Sequence, residues 1–351
     1  MLSIRIFSAR GLRFFAALLA FAPAIAKSQA KTPDAPALRY EVRELKIETP
    51  GSTYAYVTAL NNQGQIIGLA GGAQPMAPFV WQNGKTQILG QLSGLRDLRP
   101  TALNDKGQIV GTARLAGSKS DTVVSAFLWE KGKIRELDAL PDVEFRRVGS
   151  INNKGQIVGT CIKNGVYYAF LHDGKRMTLL FPGYADAIND SGEIVGRSET
   201  ANVGVLWKDG KTTSLGTDEG LLINNAEQVI HYHEGDFFLF EKGVTRFFVG
   251  DSDRHQTGGM SLTSLNGKGQ VAGWYWEDSS NGKGLFDAIT AEDGKKLDLN
   301  TITRLPAGWH LWRAYGINDR GQILADASED GLDAKQPHTL HPVLLTPIAA
   351  K

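Results

Sequence analysis

The sequence predicts an all-β protein, a seven-bladed β-propeller of four-stranded blades that is closed by an N-terminal strand completing the last blade. Three observations lead to this prediction: a composition rich in glycine, an internal repeat that occurs seven times, and a strand that is missing from the last repeat but present before the first. A repeat of about 40 to 45 residues is typical of a four-stranded propeller blade.

The composition is that of a folded globular chain. Hydrophobic residues make up 42% and charged residues 21% of the 351 residues, which excludes a disordered or collagen-like protein. The 40 glycines favour many tight turns over long helices, where glycine is unfavourable. A single cysteine, Cys161, excludes an intramolecular disulfide framework and a four-cysteine zinc site.

The repeat has the pattern apolar-Asn-[Asn/Asp]-x-Gly-[Gln/Glu]-[Ile/Val]-apolar-Gly, as in residues 60–68. The fifth copy, residues 223–231, has lost both glycines. Successive copies are 43, 48, 37, 35, 42 and 52 residues apart, which centres on the length of a propeller blade. The first asparagine of the seven copies is Asn61, Asn104, Asn152, Asn189, Asn224, Asn266 and Asn318.

A second motif follows each of the first six copies and predicts a second hairpin. It is a short apolar strand, an Asn-Gly or Asp-Gly type of turn, and a further strand, as in residues 127–137. Each unit therefore has four strands: strand a ends at the asparagine, strand b follows it, and strands c and d form the second hairpin. Clear copies lie at 79–85, 127–133, 170–175 and 205–211, and weaker ones at 238–243 and 289–294.

The two ends of the chain predict how the ring closes. The seventh unit stops after its strand c, residues 341–345, and has no strand d. Residues 42–45 (Val-Arg-Glu-Leu) nearly duplicate strand d of the second unit, residues 134–137 (Ile-Arg-Glu-Leu). Because an open stack of units would expose two unpaired edges, residues 42–45 are predicted to be the outer strand of the last blade.

Residues 1–30 have the features of a secretory signal peptide and leader, and residues 31–351 are predicted to form one seven-repeat propeller domain. Three arginines precede an apolar run, and small residues that suit cleavage end at Ala26 and again at Ala30. The uncharged run 14–26 has 13 residues, fewer than the roughly 20 that span a bilayer. We therefore expect an exported chain, periplasmic or extracellular, with no membrane span after cleavage.

The charge after cleavage disfavours nucleic acid as a partner. Removing Arg5, Arg10, Arg13 and Lys27 leaves 34 basic against 37 acidic residues. Binding to a phosphate backbone needs a clustered excess of lysine and arginine, which this chain lacks.

The repeats resemble those of the bacterial extracellular family called HAF repeats. Units of that family run Ala-Ile-Asn-Asn-x-Gly-Gln-Val-Val-Gly, then His-Ala-Phe-Leu-Trp, then a strand that ends Asp-Leu-Gly, and the likeness covers residues 39–347. The position of His-Ala-Phe is Ser-Ala-Phe at 125–127 and Tyr-Ala-Phe at 168–170, and only His341 keeps the histidine. The resemblance implies an exported bacterial repeat protein and carries over no catalytic residue.

Motifs that could carry metal or catalytic chemistry have simpler explanations. The Asn-Asp turns could suggest calcium, but they offer few carboxylates, and asparagine, aspartate and glycine are ordinary hairpin-turn residues. His231 and His233 share a strand face, yet two ligands do not make a zinc site, and only His255 or Asp236 lie near in sequence. The sequence has no nucleophile elbow, zinc-protease helix or phosphate loop. No catalytic residue, metal or cofactor is predicted.

Aromatic residues fall into two groups. Phe79, Trp81, Phe127, Trp129, Phe170 and Trp207 recur at alternate positions of strand c and are predicted to be core. Two connections of variable length carry the candidate ligand-binding residues, Trp274, Tyr275, Trp276, Trp309 and Trp312. These could form a platform for a sugar ring or could plug the closure of the ring. Strand alternation places Trp274 and Trp276 on one face and Tyr275 on the other. Trp274 is expected to be the more buried because it follows Gly273, and Trp276 the more exposed because it precedes Glu277 and Asp278 at the loop.

Three functions remain open at this point. The first is an exported, non-catalytic and monomeric propeller that binds a glycan, peptide or cell-surface component through its variable loops. The second is a hydrolase or lyase acting on polysaccharide, and the third is a purely structural or assembly module. Exposed tryptophan favours the first, convergent carboxylates or histidines would favour the second, and the third requires neither.

Overall fold

A computed structural model describes residues 39–72, 76–116, 124–216, 218–250, 258–278, 284–329 and 340–348. The predicted signal peptide and leader, residues 1–30, lie outside these ranges. Strands dominate the described chain and a four-residue helix accompanies them, so the all-β prediction is confirmed. Within the described part, no helix is long and apolar enough to cross a membrane.

The strands follow the repeats in order. An N-terminal strand and the first unit contain β1 (Arg39–Glu44), β2 (Ser52–Leu60), β3 (Ile66–Gly72), β4 (Ala77–Gln82) and β5 (Lys85–Ile88). The second and third units contain β6 (Leu95–Leu103), β7 (Ile109–Leu115), β8 (Val124–Glu130), β9 (Lys133–Glu136), β10 (Val143–Ile151), β11 (Ile157–Lys163), β12 (Val166–His172) and β13 (Met177–Ile188). The second half of β13 begins the fourth unit, which continues through β14 (Ile194–Ser198), β15 (Val203–Lys208) and β16 (Lys211–Ser214).

The last three units are built in the same way. The fifth contains β17 (Glu219–Ile223), β18 (Val229–His233), β19 (Asp236–Glu241) and β20 (Val244–Gly250). The sixth contains β21 (Gly258–Leu265), β22 (Val271–Asp278), β23 (Gly284–Glu292) and β24 (Lys295–Asp298), followed by α1 (Leu299–Ile302). The seventh contains β25 (His310–Ile317), β26 (Ile323–Ser328) and β27 (Leu340–Ile348).

The strands do not fall into seven separate sheets, which corrects the simplest form of the prediction. Four sheets have four strands each, but β6 to β16 form one continuous hydrogen-bonded run of eleven strands. Two features join the run: Phe145 of β10 pairs with Val124 of β8, and β13 pairs through its first half with β12 and through its second half with β14. No turn separates the third unit from the fourth, so the chain continues as one strand of 12 residues.

The N-terminal strand lies where the repeat count places it. β1 pairs antiparallel with β27, and Val42 faces Leu345 in the register. The resulting sheet has the order β1, β27, β26, β25. The seventh unit therefore has four strands, one from the N-terminal part of the chain and three from the C-terminal part. Tyr40, within this pairing, and Leu45, directly after it, are 2% and 4% exposed.

The first strands of the units lie side by side around a common centre. Each contacts the first strand of the next unit, and β25 contacts β2, which returns the series to its start. All strands a run toward the Asn-containing turns, so we call that end of the molecule the turn end and the opposite end the loop end.

A cycle of hydrogen bonds links the seven repeat asparagines at the turn end. The side-chain Nδ2 of each asparagine donates to the backbone carbonyl of the asparagine in the next unit, at 2.8 to 3.3 Å. The last of these bonds runs from Asn318 back to Asn61, which completes the cycle. The repeat motif therefore joins each unit to its neighbour as well as forming its own turn.

The core lies between neighbouring sheets. Five of the six aromatic residues of strand c are buried as predicted: Phe79, Phe127 and Phe170 have no exposed surface, and Trp81 and Trp129 are 3% and 6% exposed. The sixth, Trp207, is only half-buried. The closing glycine of the repeat makes room for this packing, because a Cβ at Gly159 would lie 2.1 Å from the Arg147 carbonyl oxygen and 2.9 Å from the Phe170 ring.

Candidate functional site

The polar side chains of the repeat turns form hydrogen bonds within the turns and to the neighbouring turn. Asn152 is representative: its Oδ1 accepts hydrogen bonds from the backbone N–H groups of Lys154 and Gln156, at 3.0 and 2.9 Å. Its Nδ2 donates to Gln156 Oε1 and to the Asn189 carbonyl. The side chain is 3% exposed and all four contacts are within the protein, which explains the asparagine without a metal ion.

The second residue of the motif forms an outer polar ring at the turn end. Going round the units, its members are Asn62, Asp105, Asn153, Asp190, Asn225, Gly267 and Asp319. Amides and carboxylates alternate, and amide groups of the asparagines donate to the neighbouring aspartates, as from Asn153 Nδ2 to Asp190 Oδ2 at 3.0 Å. The alternation keeps like charges apart and pairs donors with acceptors.

Gly267 lies at the one position where amides and carboxylates cannot alternate in this outer ring. Seven positions cannot alternate strictly, because an odd ring would bring two side chains of the same kind together. Gly267 has no side chain at the position where the pattern breaks, and its backbone N–H donates to Asp319 Oδ1 at 2.6 Å. A Cβ there would lie 3.0 Å from that same oxygen. The depression at the turn end, about 300 Å³, is thus lined by groups that already have partners.

The predicted aromatic residues lie toward the loop end of the sixth and seventh units, but they do not form one exposed platform. Trp276 is 39% exposed, whereas Trp274 is only half-buried and Tyr275 lies on the other face of β22, beneath the Lys296 Nζ at 4.6 Å. Trp276 is therefore more exposed than Trp274, the order expected from its position next to the loop. Trp309 lies against the His341 ring, with centroids 4.9 Å apart.

Trp312 does not match its predicted role as a ligand-stacking residue. It is 8% exposed and stacks on Phe286 with ring centroids 5.9 Å apart and planes 19° apart. Phe286 is the cross-strand neighbour of Trp276, so Trp312 packs beneath the residue beside Trp276 rather than next to it at the surface. The Arg313 guanidinium lies 4.4 Å from the centre of the Phe286 ring and 5.3 Å from that of Trp274, which adds a cation to the aromatic layer.

Two histidines at the loop end have acidic partners. The His310 Nε2 lies 2.9 Å from the Phe286 carbonyl oxygen and 3.0 Å from Asp287 Oδ1. Burial opposes the charged imidazolium, but these hydrogen bonds outweigh it and raise the pKa of His310. His341 Nδ1 lies 2.8 Å from Glu44 Oε1. In each histidine, at least one ring nitrogen therefore has a hydrogen-bond partner within the protein.

A ring of side chains on the first strands was missed by the sequence analysis. Every strand a has a β-bulge three residues before its repeat asparagine. The residue five before the asparagine therefore lies at the same level along the strand in each unit. In each unit that residue pairs with the one that follows the closing position of the repeat. We call the set the mouth ring: Tyr56, Arg99, Arg147, Tyr184, Glu219, Ser261 and Arg313.

The mouth ring surrounds the centre of the molecule on its loop-end side. Tyr56 is 45% exposed and Arg99 is also exposed, although both are on innermost strands. Arg147 forms an ion pair with Asp186 of the next unit. Burial lowers the pKa of Arg147, and the Glu219 carboxylate, two units away, opposes that shift.

A buried carboxyl group lies beside the mouth ring. Asp326, the cross-strand partner of Arg313, is 1% exposed and its Oδ2 accepts a hydrogen bond from the Tyr315 hydroxyl at 2.8 Å. Its other oxygen has no hydrogen-bond partner among the described residues. Burial raises the pKa of Asp326 to about 6. The seventh unit therefore contains a carboxyl group that resists ionisation.

His231 is a packing residue in the structure. It is fully buried, stacks on Phe238 with planes 17° apart, and burial lowers its pKa to about 4. It replaces the closing glycine of the fifth repeat, and the residue it faces on β17 is Gly220, so a large and a small residue have exchanged places. Within the described ranges, no group of three ligating side chains could hold a metal ion, and His255 lies outside them.

No family model matches the chain, and no curated protein matches it. Solved structures do. The β-propeller domain of the Trilobed protease from Pyrococcus furiosus, described as having an open velcro topology, aligns with a TM-score of 0.57 at 9% identity over 84% of this chain and 94% of that one. Uncomplexed Pyrococcus horikoshii acylaminoacyl peptidase aligns with a TM-score of 0.51 at 9% identity over 87% of this chain and 54% of that one. The fold is therefore a β-propeller, and at this identity the likeness shows the fold alone.

Proposed function

We propose that this chain is an exported, non-catalytic β-propeller that binds a glycan at its loop end, with the seven units closed into one ring. The N-terminal features support export, and the repeats resemble those of bacterial extracellular HAF-repeat proteins. Membership of that family and the cellular location are part of the proposal.

Closure is supported by three independent features. The asparagine cycle returns from Asn318 to Asn61, β25 contacts β2, and β1 supplies the outer strand of the seventh unit. The Pyrococcus furiosus domain is described as open, so ring closure by β1 would distinguish this chain from that one.

The observation that carries the binding function is the exposure of Trp276 at the loop end. Trp276 is 39% exposed, and the edge of its indole lies against Gly259, its cross-strand partner on β21, where a Cβ would lie 2.6 Å from Trp276 Nε1. Its neighbour on the other side, Phe286, stacks on Trp312 and lies under the Arg313 guanidinium. Tryptophan presents an apolar face to one side of a sugar ring while polar groups at its rim bind hydroxyls. The turn end has no comparable group, since its polar atoms are bonded to one another.

The enzyme alternative has weaker support. Acid–base catalysis requires titratable groups that can reach a substrate, and His310 already shares its Nε2 between Asp287 and a backbone carbonyl. Ligand binding requires only the exposed surface that the structure contains.

A glycan-array screen of residues 31–351 tests the proposal. We expect binding to one class of glycan, loss of that binding in Trp276→Ala, and full binding in Phe247→Ala. Phe247 is a matched control, because it is 36% exposed and lies on β20, the outer strand of the fifth unit. Equal binding by the Trp276→Ala variant, or no glycan binding at all, would contradict the proposal.

A further inference from the structure

The mouth ring carries a positive charge in a chain that is acidic once its leader is removed. Three of its seven members are arginines and one is an acid, Glu219. Residues 31–351 as a whole have 34 basic against 37 acidic side chains. Basic side chains therefore outnumber acidic ones among the ring members, and an excess of one sign of charge attracts ligands of the other sign.

The three arginines differ in the interactions that their guanidinium groups make within the protein. Arg147 is paired with Asp186, and Arg313 lies over the Phe286 and Trp274 rings. Arg99 is exposed and forms no ion pair with any described residue. Asp97, the acidic residue nearest to Arg99 in sequence, is already paired, since it lies 2.6 Å from Arg96 and 3.6 Å from Arg114. Arg99 is the group with an unused capacity to bind an anion.

We propose that the mouth ring binds the carboxylate groups of an acidic glycan, with Arg99 as the principal contact. This inference rests on the proposed function and names the ligand class for the same end of the molecule. A guanidinium donates two parallel hydrogen bonds to a carboxylate, which gives direction as well as charge attraction.

Tyrosines beside Arg99 favour a sugar over a peptide as the carrier of the carboxylate. Tyr54 and Tyr56 lie on the first strand of the neighbouring unit, are 39% and 45% exposed, and pack edge to face with centroids 5.3 Å apart. They place exposed aromatic faces on β2, the strand that contacts the strand of Arg99. An aromatic ring packs on the apolar C–H face of a pyranose while a guanidinium binds its carboxylate, which fits a glycan that contains uronic acids.

Calorimetric titration of residues 31–351 with short oligogalacturonate and oligomannuronate tests the inference, with the methyl-esterified oligogalacturonate as the neutral ligand. We expect at least one of the two acidic glycans to bind, and its affinity to fall about tenfold or more in Arg99→Gln. Arg246→Gln is the control, because Arg246 is an arginine on the outer strand β20, and it should bind as the unaltered protein does. The affinity should also weaken as the salt concentration rises from about 0.05 to 0.5 M.

The outcomes separate this inference from the function on which it rests. If the methyl ester binds as tightly as the acid and Trp276→Ala abolishes both, the proposed glycan binding stands and the acidic-glycan inference is overturned. If neither acidic glycan binds, or if Arg99→Gln binds unchanged, the inference is also overturned. A polyglutamate peptide that binds more tightly than either glycan would show that the ligand is an acidic peptide and would overturn the choice of glycan.

Discussion

The turn end and the loop end of the molecule are made by the same seven repeats, but their polar groups have different partners. At the turn end, every repeat asparagine is buried, and the side chains of six of the seven have four hydrogen bonds within the protein, as Asn152 shows, while that of Asn189 has three. At the loop end, Arg99 and Trp276 are exposed, and the residue type at their positions changes around the units; the position of Arg99 is tyrosine in the first unit and glutamate in the fifth. A repeated residue therefore indicates a bond between units, while a residue that varies from unit to unit at a constant position indicates a surface available for binding.

The largest expected effect comes from removing the strand that joins the two ends of the chain. A protein comprising residues 49–351 lacks β1 and its pairing with β27, and it loses the burial of Tyr40 and Leu45. We expect the free energy of unfolding to fall by roughly 5 kcal/mol or more, because an unpaired edge and an uncovered core result. Thermal melting of 49–351 against 31–351 measures this, with 39–351 as the control that keeps β1. Equal melting temperatures for all three would show that β1 does not hold the ring.

A smaller loss is expected from breaking the asparagine cycle at one point. Asn152→Ala removes four hydrogen bonds and leaves buried backbone groups without partners, which should cost about 2 to 4 kcal/mol. Lys154→Ala alters an exposed residue of the same turn and should be close to neutral. Urea unfolding of both variants checks the difference. If the two variants unfold at the same urea concentration, the cycle contributes nothing.

The buried Asp326 predicts a pH dependence of stability. Its pKa is about 6 in the folded protein against 3.8 as the ordinary value, so the folded state holds the proton more tightly. The stabilisation is therefore complete below about pH 4 and is lost as the pH rises through about 6, by up to roughly 3 kcal/mol. Asp326→Asn should remove this loss and be the more stable protein at pH 7.5. The exposed Asp209→Asn is the control, and an unchanged pH profile in Asp326→Asn would refute the assignment.

The smallest effect on stability should come from the exposed tryptophan. Trp276→Ala should change the free energy of unfolding by less than about 1 kcal/mol, whereas Trp129→Ala, at a site 6% exposed, should cost about 3 to 5 kcal/mol. Both changes remove the same side chain, so calorimetric melting of the pair compares the loop surface with the core directly. A large loss in Trp276→Ala would place that residue in the core and remove it from the binding surface.

The sequence alone predicted the repeats, the strand order within each unit and the pairing of the N-terminal strand, because each depends on a recurring residue type. It did not predict the continuous eleven-stranded run, which arises where β13 passes from one unit to the next without a turn. Trp312 was misplaced because its partner, Phe286, belongs to a distant strand. The mouth ring escaped notice because its members share a position and not a residue type. Counting five residues back from each repeat asparagine would have found it.

Hydrogen exchange of the seven repeat turns tests the central claim, that the units form one closed ring held at the turn end. Backbone amides in each turn are bonded to the repeat asparagine, as those of Gln65 and Gln322 are to Asn61 and Asn318. The account predicts that the first and last turns, residues 61–65 and 318–322, exchange as slowly as the central turn at 152–156. Exchange about tenfold or more faster in the first and last turns than in the central turn would show that the ring opens there, and would contradict the claim.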